Sequence, residues 1–125
     1  MYELSIQRIF IGQHFLIGGD WGKENELHSH QYKLEVRISG SQLNEHGYLL
    51  DIVDFSNHLE TMVDKYQDQT LNELPEFVGL NPSIEHFARI LCQALATHIT
   101  ESSTSRITVR IWEDEIGWAS YTSKL

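Results

Sequence analysis

The chain has 125 residues, and 9 Lys+Arg stand against 18 Asp+Glu, a formal net charge of −9 at pH 7. With 41% hydrophobic residues it is too apolar for a disordered segment and the right size for one domain, residues 1–125. The acidity argues against nucleic acid and against an anionic membrane surface, since both select clustered cations.

Tyr2 to Leu16 alternates, with Leu4, Ile6, Phe10 and His14 on one parity, and reads as a strand. Glu3, Gln7 and Arg8 interrupt any leader-like apolar run there. Gly18 to Glu26 is a loop by its turn residues. His28, His30, Tyr32, Leu34, Val36 and Ile38 then share one face of a second strand, and Ser29, Gln31, Lys33, Glu35 and Arg37 share the other. Ile52, Phe55, Leu59, Met62, Val63 and Tyr66 fall at helical spacing, predicting a helix over 52–66. Asn72 to Gly79 reads as loop. Asn81-Pro82-Ser83 is a helix start, and Ile84, Phe87, Ala88, Leu91, Leu95 and Ile99 make the apolar stripe of a second helix. Cys92 lies on that helix; one cysteine excludes an internal disulfide framework and a cysteine-based zinc site, and suits a reducing cytoplasm. Residues 107–111 and 117–123 alternate as two further strands. No stretch approaches about 18 apolar residues, so no membrane span is expected. The order ββααββ predicts an α+β fold, an antiparallel sheet with helices on one face.

Seven histidines are the unusual feature of the composition. His28-Ser29-His30 places two imidazoles on one face of a strand. If His14 lies on a neighbouring strand, three neutral imidazoles converge, a donor set suited to zinc with one position left open. An HxH pair also arises on a strand by coincidence, and His46, His58, His86 and His98 read as structural or solvated.

Several motifs, taken in order, resemble one family. Phe10-Ile11-Gly12-Gln13-His14-Phe15-Leu16 is similar to the Phe-x-Ala-Ala-His-x-Leu of the 6-pyruvoyl- and 6-carboxy-tetrahydropterin synthases. His28-Ser29-His30-Gln31-Tyr32 resembles their His-Gly-His-x-Tyr, and Gly47 to Asp51 their Gly-x-x-x-Asp. Leu71-Asn72, Asn81-Pro82-Ser83-Ile84-Glu85 and the strand ending in Glu113 follow in the family's order. The resemblance implies the tunnelling fold, a four-stranded antiparallel sheet with two helices on one face. It implies homo-oligomers, a trimer or a hexamer of two trimers, with sites at subunit interfaces. It implies zinc held by His14, His28 and His30, and a pterin substrate bound by Glu113 and by Ser83.

The chain departs from the family at two places. The catalytic Cys position carries Glu24, and the Asp-His pair before Leu-Asn is replaced by Gln67-Asp68. Some family members have Glu in place of the Cys, so the resemblance implies Glu24 as the base, with Asp68 assisting, in a reaction on a dihydroneopterin-type substrate. The alternative is a zinc- and pterin-binding homologue that has lost the chemistry. A metal hydrolase built on HxH is disfavoured, because Tyr32 and Lys33 stand where such enzymes place a further carboxylate.

Overall fold

The computed structural model describes residues 1–125. Its main elements are β1 (Tyr2–His14), β2 (His28–Gly40), α1 (Ile52–Tyr66), α2 (Ile84–Ala96), β3 (Arg106–Glu113) and β4 (Gly117–Lys124). The four strands form one antiparallel sheet in the spatial order β1-β2-β3-β4, and both helices pack on the same face. This is the α+β arrangement expected from the sequence.

Alternation decides which residues reach the core. Ile6 and Phe10 of β1, Tyr32 to Ile38 at even positions of β2, and Ile107, Val109 and Ile111 of β3 turn toward the helices and are buried. The helices answer with Phe55, Leu59, Val63 and Tyr66 from α1 and Phe87, Ala88, Leu91, Cys92 and Leu95 from α2. Both helix starts are capped: Asp51 accepts from the Val53 and Asp54 N–H groups, and the Ser83 hydroxyl accepts from His86 N–H. No helix is long and apolar enough to cross a membrane.

The later strands run one or two residues past their predicted ends, and three other details differ. The first strand ends at His14 rather than Leu16, because Leu16 N–H turns away to bond the Glu24 carbonyl at 2.9 Å. The second helix ends at Ala96, and His98 and Ile99 then bond back to Leu95 and Ala96 in tightened turns that still bring Ile99 against the core. The loop before Gly79 contains two short helical turns, Leu71–Glu73 and Pro75–Phe77, which bury Leu71 and Phe77.

Phe87 is the hub of this core. It is fully buried and meets Phe10, Tyr32, Tyr66 and Phe77 at ring-centroid distances of 5.1 to 6.0 Å. Phe87→Ala removes these edge contacts and leaves a cavity that two helices and a sheet cannot close. The expected cost is about 3–5 kcal/mol, read from the denaturant midpoint at unchanged slope.

Candidate metal centre

His14 and His28 are directly opposed in the β1–β2 ladder, and His30 lies opposite Gly12. A Cβ at residue 12 would come within 3.0 Å of the Tyr32 ring, so glycine lets that ring lie against the strand beneath the histidines. The three imidazoles gather on the helix-facing side, with ring centroids 4.6, 4.9 and 4.7 Å apart.

One nitrogen of each ring is already committed. His14 Nδ1 is 2.9 Å from the Pro82 carbonyl, His28 Nδ1 is 2.7 Å from the Glu26 carbonyl, and His30 Nδ1 is 2.7 Å from the Asp114 carboxylate. Those oxygens only accept, so each Nδ1 carries the hydrogen and each Nε2 of a neutral ring presents a lone pair. His14 Nε2 and His28 Nε2 face each other at 3.0 Å, and the buried His30 Nε2 makes no aligned hydrogen bond, although Glu113 Oε1 lies 2.8 Å from it. Three convergent lone pairs, each ring fixed from behind by an oxygen, fit a metal cation.

Two carboxylates flank the trio. Glu24 Oε2 is 2.9 Å from His28 Nε2, and Glu113 Oε1 is 2.8 Å from His30 Nε2. The donor atoms of His14, Glu24, His28 and His30 all lie within 4.8 Å of one another. Glu24 is delivered by a short helical turn, Gly22–Asn25, which the Asn25 side chain ties to the Leu16 and Gly19 carbonyls and to Trp21 N–H. A cleft of about 360 Å³ opens beside the trio, lined by Glu24, His30, Ile84, Glu113, Asp114 and Gly117 among others. A larger, apolar cavity at the opposite end of the sheet, around Tyr2, Tyr48 and Val53, lies away from this chemistry.

Electrostatics follow the burial. Burial raises the Glu113 carboxyl, with His30 pulling the other way. For Asp114 burial also acts upward, but hydrogen bonds from His30 and Gln31 outweigh it and hold the carboxyl low. Burial pushes His14 down to about 4; the Pro82 carbonyl opposes this and the His30 and His28 rings reinforce it. The native state thus prefers neutral His14. Its contribution to stability is complete above the unfolded value of 6.5 and is lost as pH falls from there toward 4. The metal-stripped protein should therefore lose on the order of 3 kcal/mol from this ring across that window, with an NMR titration midpoint for His14 near the lower end.

Sequence reasoning missed Asp114. It sits at φ 54 in the β3–β4 turn, a left-handed position that Asp tolerates, and this turn aims it back at His30. The run Glu113-Asp114-Glu115 at a strand end was the available signal.

Other expected site residues lie elsewhere. Asp68 is exposed, with φ 60, beside the outer edge of β1, where its N–H bonds the Ile11 carbonyl at 2.7 Å. The single chain does not bring it into the cluster. Gln67 is the C-cap of α1, and its Oε1 accepts from Ile11 N–H. The Ser83 hydroxyl is engaged as the cap of α2, one residue after the Pro82 carbonyl that orients His14. Cys92 is buried on α2 against β3, its thiol pushed up to about 11 by burial. Of the nine Lys and Arg, Lys33, Arg37, Arg106, Arg110 and Lys124 project from the other face of the sheet.

Comparison with known proteins agrees with this fold. A 6-carboxy-5,6,7,8-tetrahydropterin synthase of Haemophilus influenzae is 30% identical, over 97% of this chain and 99% of its own. The 6-pyruvoyl tetrahydropterin synthase of Plasmodium falciparum superposes with a TM-score of 0.82 at 14% identity, covering 99% of this chain and 98% of that one. The Plasmodium vivax enzyme, solved as a variant of a catalytic glutamate, superposes at 0.80 with 15% identity and the same coverage. The family model for 6-pyruvoyl tetrahydropterin synthase matches residues 3–124, and the chain belongs to that family.

Proposed function

We propose that this protein is a zinc-dependent lyase acting on a dihydroneopterin-type substrate, with Glu24 as its base. The observation that carries the reading is the set of three Nδ1-anchored imidazoles with Glu24 and Glu113 on either side. His14, His28 and His30 would hold zinc, which when bound polarises a substrate oxygen. Glu113 would accept two N–H bonds from the 2-amino-4-oxo edge of a pterin, orienting the ring in the cleft. Glu24, half exposed and beside the cluster, would take the proton from the pterin side chain. The Plasmodium vivax relative, in which a glutamate is catalytic, supports that role.

An oligomer completes this picture. β1 and β4 are edge strands, and Ile9 and Ile11 are exposed on the outer face of β1. Pairing edges between copies, as a trimer or hexamer, would cover them and let Asp68 reach a neighbouring copy's cleft. A cytoplasmic setting fits the single, buried thiol.

The second reading is a zinc- and pterin-binding homologue without turnover. The use of Gln67 as a helix cap, where the family keeps part of its relay, favours it. Incubating the zinc form with 7,8-dihydroneopterin triphosphate and following products by chromatography separates the two. The expected result is product formation that falls by at least about 10²-fold in Glu24→Ala. Unchanged turnover in that variant removes Glu24 as base. Pterin binding with no product from the wild type, across a panel that includes an unphosphorylated dihydropterin, selects the second reading.

A further inference from the structure

We propose that Glu24 is a displaceable fourth ligand of the metal, closing the site at rest and leaving it when substrate oxygen arrives. The proposal rests on the metal reading above and adds a state to it.

Glu24 and Glu113 stand differently toward the trio. Glu113 approaches only His30, whereas the Glu24 oxygen lies within 4.8 Å of the donor atoms of all three histidines and 2.9 Å from His28 Nε2. Donors around a tetrahedral metal with bonds of about 2.0–2.1 Å sit about 3.3 Å from one another. The His14–His28 and His28–Glu24 separations, 3.0 and 2.9 Å, are close to that spacing. With its Nδ1 hydrogen on the Glu26 carbonyl, a neutral His28 turns a lone pair, not a donor, toward the Glu24 carboxylate. A cation between them resolves this and also meets the buried His30 Nε2, which makes no aligned hydrogen bond although Glu113 Oε1 lies 2.8 Å away.

The turn that carries Glu24 favours release as well as capture. Its backbone is pinned, Leu16 N–H to Glu24 carbonyl at 2.9 Å and Asn25 to two carbonyls. Its side chain is 52% exposed and has no other partner than His28, so the carboxylate can swing to water by side-chain rotation alone. A carboxylate on the metal is a much weaker base than a free one, because the cation withdraws its electron density. Displacement by the substrate would therefore convert ligand into base only when there is something to deprotonate, and would keep water off the metal between turnovers.

The test uses the full chain, stripped of metal and titrated with Co²⁺ and then Zn²⁺. Wild type should give the intense visible spectrum of four-coordinate cobalt, insensitive to azide. Glu24→Ala should give a different spectrum with a solvent-filled position, bind azide at that position, and hold Zn²⁺ more weakly by no less than the roughly 10–100-fold seen when an outer-shell partner is removed. Glu45→Gln, an exposed acid in the loop between β2 and α1, should match wild type throughout. Identical spectra, azide responses and Zn²⁺ affinities in wild type and Glu24→Ala overturn the proposal and leave the metal reading intact. A wild type that binds neither metal overturns both.

Discussion

His30→Ala should severely weaken metal binding and abolish turnover, while the chain still folds. His30 is the most constrained donor of the three. Its Nδ1 is held by Asp114, whose other oxygen accepts from Gln31 N–H at 3.1 Å, and its Nε2 is buried toward the cluster with only the Glu113 carboxylate beside it. Alanine removes the most firmly oriented ligand and leaves two imidazoles and a half-exposed carboxylate that can rotate into water, a set that holds a cation far more weakly. The substitution adds no strain, since β2 continues through residue 30 and the aromatic core begins at Tyr32. Zinc at a thousand times its dissociation constant should stabilise wild type by about 4 kcal/mol through linkage, and a chelator should reverse this. His30→Ala should show a much smaller zinc-dependent shift of Tm and no product. A variant that keeps both its zinc-dependent Tm shift and its turnover would place the metal elsewhere.

Much of this site was legible in the sequence, and the remainder depended on pairing and turns. Parity alone puts His28 and His30 on one face, and the apolar stripe after Asp51 sets α1 at the bounds observed. The convergence of His14 needed the register, His14 opposite His28, which no local pattern contains. The tautomers needed three acceptors that come from a loop carbonyl at Glu26, the residue before a helix cap, and a left-handed turn. Backbone oxygens have no sequence signature, so this support was invisible. Asp68 shows the converse. Its type and spacing invited a role, but the segment after α1 hugs the edge of β1 and holds it outside the cluster of its own chain.

Glu113→Gln should weaken pterin binding by about a hundredfold while leaving zinc binding unchanged. Glu113 ends β3 on the helix-facing side, opposite Tyr32 in the ladder, and lines the cleft beside His30. Its side chain is largely buried, and burial raises its carboxyl, so charge there is costly unless donors meet it. A pterin supplies two parallel N–H donors from its 2-amino and ring N–H groups, and a carboxylate accepts both. Gln is the same size but turns an NH₂ toward one of those donors. One charge-assisted bond is lost and one donor is left facing another, together about 3 kcal/mol, or about a hundredfold in Kd. Fluorescence titration with a pterin measures this, and a zinc titration of the same variant shows the metal site is intact. The contrast with Glu24→Ala separates the two acids: that variant should bind pterin and fail to turn it over, whereas Glu113→Gln should fail to hold it. Equal pterin affinity in wild type and Glu113→Gln would mean that the ring is anchored elsewhere in the cleft. The Glu113 carboxyl would then act on His30, its neighbour at 2.8 Å, rather than on the substrate.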